Sequence, residues 1–417
     1  MENLGFKSIS DLNVEGKKVL LRLDINSPLN PITKKIVNEN RIDKSLETLK
    51  WLLDKKAAVA IIAHQGDTLD YQNLIPLLEH SEILTKKLGR KVSYIDDVCG
   101  PAALNAVDNL KSGECIILGN LRFLTEEVST FENSVKLSPD KMKDTYLVRS
   151  LAPHFDLYVN DAFSAAHRMS PSMVAFQQLL PSAAGFLFFK EISTLTKIME
   201  NPEHPVSFVL GGAKISDAFG MINQVLSKKI ADKILTCGVT GQVFLIANGL
   251  DLGSETLTFL KNKGLLSFID KAKVILNQFP NKVVLPLDLA YEENGQRKEV
   301  KVDSLPLQRN FLDIGNQTIN FYESLINNSK TIFVNGPAGV YEDKLFEEGT
   351  KRIWTSIGHS KAFTCIGGGD SVNALMKFSK SEDYNYICTA GGAMVRFLSG
   401  KQLPLVTAMK KLEVINL

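Results

Sequence analysis

Short apolar runs alternate with amphipathic stretches from one end of the chain to the other. The runs VLLRL at 19–23 and VAIIA at 59–63 read as buried strands. Between them, Ile42, Leu46, Leu49 and Leu53 recur at the spacing that puts them on one helical face. Further strand candidates lie at 115–118 and 157–160, then at 208–210, 234–237, 283–285, 332–335, 363–366 and 386–388. Buried runs of this length separated by helical patterns predict an α/β protein with parallel sheets. About ten strands are many for one sheet, so two sheets are expected. The seam falls where LPSAAGFLF leads into the helical pattern KEISTLTKIMENPEHP, which Pro202 and Pro205 end. The expected division is an N-terminal domain at 1–180, a connecting helix at 181–200, a C-terminal domain at 201–395 and a tail at 396–417.

The length of 417 residues fits two or three domains. A composition of 44% hydrophobic and 23% charged residues is that of an ordinary globular protein. Its 48 basic and 46 acidic residues nearly cancel, which removes any global drive toward nucleic acid or an anionic membrane. No apolar run approaches the ~18–20 residues a membrane span needs, and the first residues carry no apolar signal core. The five cysteines are scattered and form no CxxC pair, which fits a reducing cytoplasm. No HExxH-type pairing among the six histidines suggests zinc. The expectation is a cytoplasmic monomer that binds neither nucleic acid nor membrane.

Open parallel sheets bind ligands beyond the carboxyl ends of their strands. In the N-terminal half the residues following the strands are polar or charged: Asp24 and Asn26, His64, Arg122, Asn160 and Asp161, with His167 and Arg168 in the next loop. Arg41 opens the first helix. A single arginine after a strand is most often a solvated surface residue. Arg41, His64, Arg122 and Arg168 together at sheet ends point to a shared site for an anionic substrate, because the guanidinium fork matches phosphate and carboxylate.

In the C-terminal half glycine dominates the same positions: Gly211 and Gly212, Gly238, Gly336, Gly367–Gly369, Gly391 and Gly392. In GGAKISD, at 211–217, the glycines would let backbone N–H groups approach an anion, and Lys214 adds a point charge. A plain strand-to-helix turn with an exposed lysine is the alternative. In GGGDSVNAL, Asp370 or Ser371 reads as an N-cap, with Val372, Leu375 and Met376 as the buried face. Capping explains the aspartate but not three glycines. The turn-rich NGPAGVYED, beginning at Asn335, brings in Glu342, which could accept hydrogen bonds from ribose hydroxyls. No GxxxxGK[ST], GxGxxG with a distal acid, or protein-kinase motif set is present. Glycine turns on one half and arginines on the other suit a nucleotide and a second anionic substrate.

These residues resemble the phosphoglycerate kinase family along the whole chain. KVLLRLDINSPL, NLRF, VNDAFSAAHR, FVLGGAKISD, NGPAGVYE and GGGDS follow in the family's order, and GGAMVRFLSGKQLPLVTAM is similar to its C-terminal segment. His64-Gln65 and DAFSAAHR look closer to archaeal-type members. The resemblance implies two Rossmann-like lobes joined by a helix, with the tail returning to the N-terminal lobe and lobe closure excluding water. It implies reversible phosphoryl transfer between ATP and the carboxylate of 3-phosphoglycerate, with Mg²⁺. The family's substrate residues map onto Asp24, Asn26, Arg41, His64, Arg122 and Arg168, with Arg41 and Lys214 as contacts of the moving phosphoryl group. Its nucleotide side maps onto Gly211, Gly212, Lys214, Gly238, Asn335, Glu342, Gly367, Gly368, Gly369, Asp370, Ser371, Gly391 and Gly392, with Asp370 facing Mg²⁺. Four positions depart from the pattern: Asp67 where an arginine is usual, Ala218 in place of a second lysine, Gly119 before NLRF, and Ala390 for a glycine. A member that binds nucleotide without turnover, or a kinase of a related carboxylic acid, are the alternatives these departures raise.

Overall fold

The structure, a computed structural model, describes residues 4–66 and 71–410, so Asp67 and residues 411–417 of the expected tail lie outside the described residues. The chain divides into two units, Met1–Ser193 with Gln402–Leu417, and Thr194–Lys401. The division falls within the helix Phe186–Glu200. That helix starts later than the sequence suggests because Ser182–Ala184 forms a strand.

The first unit is built on β1 (Lys18–Arg22), β2 (Ala58–Ile62), β3 (Val92–Tyr94), β4 (Cys115–Ile117), β5 (Leu157–Asn160) and β6 (Ser182–Ala184). All pairings are parallel, in the order β3-β4-β2-β1-β5-β6. Strand β1 is central because both its faces are apolar: Val19, Leu20 and Leu21 are fully buried. The helix Asn40–Asp54 covers one face with Ile42, Leu49, Leu52 and Leu53, while Leu46 is only partly buried. Burying each such side chain contributes roughly 1.5–3 kcal/mol. From β1 the chain turns one way to β2 and later returns on the other side as β5, so the carboxyl end of β1 is a topological switch point. The helix Pro404–Lys410 also lies in this unit, where Leu405 N–H donates to the Ala166 carbonyl at 3.2 Å.

The second unit contains β7 (Val206–Leu210), β8 (Lys233–Thr236), β9 (Val283–Val284), β10 (Asp288–Glu293), β11 (Gln296–Lys301), β12 (Phe311–Ile314), β13 (Thr331–Asn335), β14 (Phe363–Gly367) and β15 (Tyr386–Ile387). Six of them form a parallel sheet in the order β15-β14-β13-β7-β8-β9. Here β7 lies between β13 and β8, and the carboxyl end of β7 is the switch point. Phe208, Phe333, Tyr322 and Trp354 are fully buried in this unit. A third sheet, β11-β10-β12, is antiparallel and was not expected from the apolar runs. Among the described residues no helix is long and apolar enough to cross a membrane.

Candidate functional site

Around the switch point of the first unit, the loop after β1 supplies Asp24 and Asn26. Asp24 is buried and accepts from Arg41 Nη1 at 2.6 Å, and its Oδ2 also accepts from the Ser164 hydroxyl. Asn26 Oδ1 accepts from Gly66 N–H at 3.0 Å, which ties the loop after β1 to the loop after β2. Gln65 fastens three loops at once. Its Oε1 accepts from Ser27 N–H at 2.9 Å, its Nε2 donates to the Ser27 carbonyl, and its backbone exchanges hydrogen bonds with the Asn120 amide. Asn120 Oδ1 also takes Arg122 N–H at 3.0 Å and so sets the turn that carries Arg122.

His64 sits at the middle of this cluster and is largely buried. Burial, then Arg22, Arg122, Arg41 and Arg168, hold its imidazole well below the usual histidine range. That all four guanidinium groups act on one ring shows that the unit brings these charges together. Arg168 is oriented by Glu132, whose carboxylate takes Arg168 Nε at 2.7 Å and Met169 N–H at 2.8 Å. Asn160 and Asp161, by contrast, serve the scaffold. Asn160 donates to the Tyr158 hydroxyl, and Asp161 Oδ1 receives Phe188 N–H at 2.9 Å.

In the second unit a cavity of about 140 Å³ is lined by Gly211, Gly212, Lys214, Asn335, Gly368, Gly369, Asp370, Ser371, Gly391 and Gly392, among others. Two helices begin on it, Gly369–Phe378 and Gly391–Leu398. The first-turn N–H groups of an α-helix have no intrahelical partner and favour anions. The N-cap of the first helix is Gly368, at φ +86°, and not Asp370 or Ser371. Ser371 Oγ instead accepts from Gly336 N–H at 2.6 Å, which leaves the Asp370 carboxylate exposed, 3.6 Å from Lys214 Nζ. Met376, expected on the buried face, is exposed, while Ala374 and Leu375 are buried.

The glycines differ from the expectation in one respect. Gly211 N–H donates to the Asn335 carbonyl at 3.0 Å and Gly212 N–H to the Pro337 carbonyl at 2.8 Å. Their role is close approach of two loops: a Cβ on Gly211 would lie 2.2 Å from the Pro337 oxygen. Gly367 packs under Met394 and is not one of the lining residues.

A second cavity, of about 300 Å³, adjoins the first through Gly212, Ala213 and Asp370. Its walls are largely apolar, with Val239, Phe259, Leu289, Phe311 and Val340, and Gly238 and Glu342 also line it. Asp313 lines it too, fully buried and held by Arg297 Nη1 at 2.9 Å and Gly349 N–H at 2.8 Å. Burial pushes its carboxyl up to about 6 against the opposing pull of Arg297.

Sequence reading did not single out Arg22, Glu132, Arg297 or Asp313, and it gave Gln65 only as a mark of resemblance. Arg22 was hidden inside an apolar strand, although a charge in a run otherwise buried is itself a signal. Asn294-Gly295 was a usable hairpin signal for the strand that carries Arg297.

Among the described residues no group of three or more His, Cys, Asp or Glu side chains stands close enough together to hold a metal ion. A dedicated protein cage is therefore absent from them. One exposed carboxylate beside a phosphate-sized cavity fits Mg²⁺ that is bound mainly through nucleotide phosphates.

Comparison with known proteins agrees with this layout. The family model described as phosphoglycerate kinase matches residues 9–401. Phosphoglycerate kinase of Methanothermus fervidus is 40% identical over 408 residues, covering 97% of both chains. That of Thermococcus kodakarensis is 40% identical over 412 residues, covering 96% of both. The crystal structure of phosphoglycerate kinase from Pyrococcus horikoshii OT3 superposes with a TM-score of 0.87 at 35% identity, covering 99% of this chain and 100% of that one. The structure from Coxiella burnetii gives a TM-score of 0.83 at 29% identity, covering 97% and 99%. With the motifs in order, both sheets in place and the match running nearly end to end, the chain belongs to the phosphoglycerate kinase family.

Proposed function

We propose that the chain catalyses reversible transfer of a phosphoryl group between ATP and the carboxylate of 3-phosphoglycerate, giving 1,3-bisphosphoglycerate and ADP. The observation that carries the reading is the pairing of two chemistries in a member of this family. A guanidinium cluster surrounds His64 in one unit, and a glycine-lined cavity with Lys214 and Asp370 lies in the other.

The nucleophile is a carboxylate, ionised at neutral pH, so no general base is required. The work left to the protein is positioning and charge stabilisation. Arg122 and Arg168 hold the 3-phosphate, Asp24 and Asn26 receive the hydroxyl end of the substrate, and His64 adds a hydrogen bond. Arg41 and Lys214 contact the phosphoryl group in transit. The helix starts at Gly369 and Gly391 take the nucleotide phosphates, the apolar cavity takes the adenine ring, and Glu342 takes the ribose hydroxyls. Asp370 faces the Mg²⁺ that travels with the nucleotide, and this ion supplies positive charge to the phosphate oxygens.

A coupled assay with 3-phosphoglycerate and MgATP tests the reading. Turnover is expected in the wild type, with kcat falling about 10²–10³-fold in Arg41→Met and in Lys214→Met. Measurable ADP binding without turnover would replace the kinase by a nucleotide-binding relative.

A further inference from the structure

Arg22 closes β1 with a side chain almost wholly buried. Each of its nitrogens is engaged. Nε donates to Ser172 Oγ at 3.4 Å, Nη1 donates to the Leu23 carbonyl, and Nη2 lies 3.0 Å from His64 Nδ1. A guanidinium has donors and no acceptor. The last contact is therefore a hydrogen bond only when His64 Nδ1 carries a lone pair, which puts the ring proton on Nε2. Among the described residues Nε2 has no hydrogen-bond partner. We propose that Arg22 is a positioning residue for the phosphoryl transfer assigned above, and that it fixes His64 as the neutral Nε2–H tautomer.

The surroundings point the same way. Arg22 is itself steadied from below: Glu127 accepts from Ser172 N–H and from the Ser172 hydroxyl, both at 2.6 Å, which leaves a Ser172 lone pair for Arg22 Nε. The charged groups facing the ring come from every side. They are Arg22 from β1, Arg41 from the helix Asn40–Asp54, Arg122 from the segment after β4 and Arg168 from the loop after β5, while Asp24 and Glu127 act on Arg22. A fifth cation amid four guanidinium groups would be repelled, and protonated Nδ1 would face the Arg22 donor head on. His64 thus gives the cluster a directional donor that carries no charge. The arginines supply attraction for an anion, and His64 supplies a hydrogen bond whose strength stays constant across neutral pH. Only the identity of the atom that meets Nε2–H rests on the kinase reading. The tautomer belongs to the free protein.

The test is imidazole ¹⁵N NMR of the full chain labelled at its six histidines, without substrate, with His64→Gln identifying the resonance. The expected spectrum has an unprotonated Nδ1 and a protonated Nε2 that do not change between pH 5.5 and 7.5. A protonated Nδ1, or a ring that titrates near its ordinary value, overturns the proposal. In Arg22→Met burial and the other three arginines keep the ring neutral, but with no donor facing Nδ1 the Nδ1–H tautomer is expected to appear, and KM for 3-phosphoglycerate at pH 7.5 to rise about tenfold with kcat within about threefold. A variant whose Nδ1 stays wholly unprotonated, or whose KM is unchanged, counts against the role. Arg22→Lys keeps a donor toward Nδ1 and should retain the wild-type tautomer, which keeps the proposal testable if the methionine variant does not fold. Because the tautomer is read without substrate, its failure is separable from failure of the coupled assay.

Discussion

A Cβ added to Gly367 would lie 2.0 Å from Met394 Sδ. One added to Gly368 would lie 2.3 Å from Asn335 Oδ1, at a φ of +86° that L-residues rarely adopt. One added to Gly369 meets nothing within 4 Å. The fold requires Gly368 through its backbone conformation, Gly367 meets the end of the flexible Met394 side chain, and nothing in the fold requires Gly369. Gly368→Ala is expected to cost about 1–3 kcal/mol of stability. Gly369→Ala should leave stability within about 0.5 kcal/mol, because the new methyl faces open space at a helical position. Its cost should appear in KM for ATP, with a rise of about tenfold in the coupled assay. An unchanged KM would mean that the phosphates do not approach Gly369. The run of three glycines is plain in the sequence, but its division of labour is not, since Met394 and Asn335 are brought to it only by folding. Ser371 is a similar case. Its local pattern reads as a cap, and only the approach of Gly336 N–H shows what its hydroxyl accepts.

At the scale of elements, the central strands announce themselves because parallel strands buried on both faces must be apolar. The edge strands β3 and β6 do not: Val92–Tyr94 and Ser182–Ala184 are three residues each and carry no apolar run. The hairpin of β10 and β11 hides for a different reason. Its second strand, QRKEVK, is polar and mostly exposed, and only Asn294 and Gly295, at φ 53° and 75°, mark the tight turn. Yet this hairpin carries Arg297, which holds Asp313 and also donates to the Leu345 and Ile314 carbonyls. Removing Arg297 leaves a buried carboxylate without its counter-ion, so Arg297→Ala is expected to cost ~3–5 kcal/mol at pH 7.5. The sign of the pH response follows from Asp313. Its folded-state value, near 6, lies above the unfolded value of 3.8, so the native state binds more protons between them and gains stability as pH falls through that window. Without Arg297 the carboxyl rises further, and the deficit of the variant should shrink at pH 5.5. Urea unfolding followed at Trp354, the tryptophan of this unit, in a Trp51→Phe background measures both values. A deficit that does not change with pH would mean that Asp313 is not the group left exposed.

Over the whole molecule, cationic strand ends precede the helix Phe186–Glu200 and glycine-rich ones follow it. What sequence could not supply is the buried network beneath each set, and that network governs how the molecule responds to acid. His80 is fully buried, with Nε2 3.1 Å from Gln65 Oε1, and burial brings its imidazole down to about 4. The unfolded chain binds its proton near 6.5 and the folded chain does not, so the first unit loses stability as pH falls from 6.5 toward 4. At ~1.4 kcal/mol per pH unit the loss is ~3 kcal/mol. Asp161 works in the opposite direction. Burial raises its carboxyl to about 6 from 3.8, so it contributes stability as pH falls through the same window, by a similar ~3 kcal/mol. In the wild type these two contributions nearly cancel, while His64, depressed by burial and the arginines, adds an acid-side loss of its own. His80→Gln keeps a donor toward Gln65 Oε1 and removes the titrating ring. The His64 and Asp161 contributions are common to both proteins and drop out of the difference between them. That difference, read from Trp51 in a Trp354→Phe background, should therefore shift by ~3 kcal/mol in favour of the glutamine variant between pH 7.5 and pH 4. If it stays constant, His80 is protonated in the folded state and the hydrogen bond to Gln65 is made by an imidazolium. Burial without a counter-charge among its hydrogen-bond partners makes that the costlier arrangement.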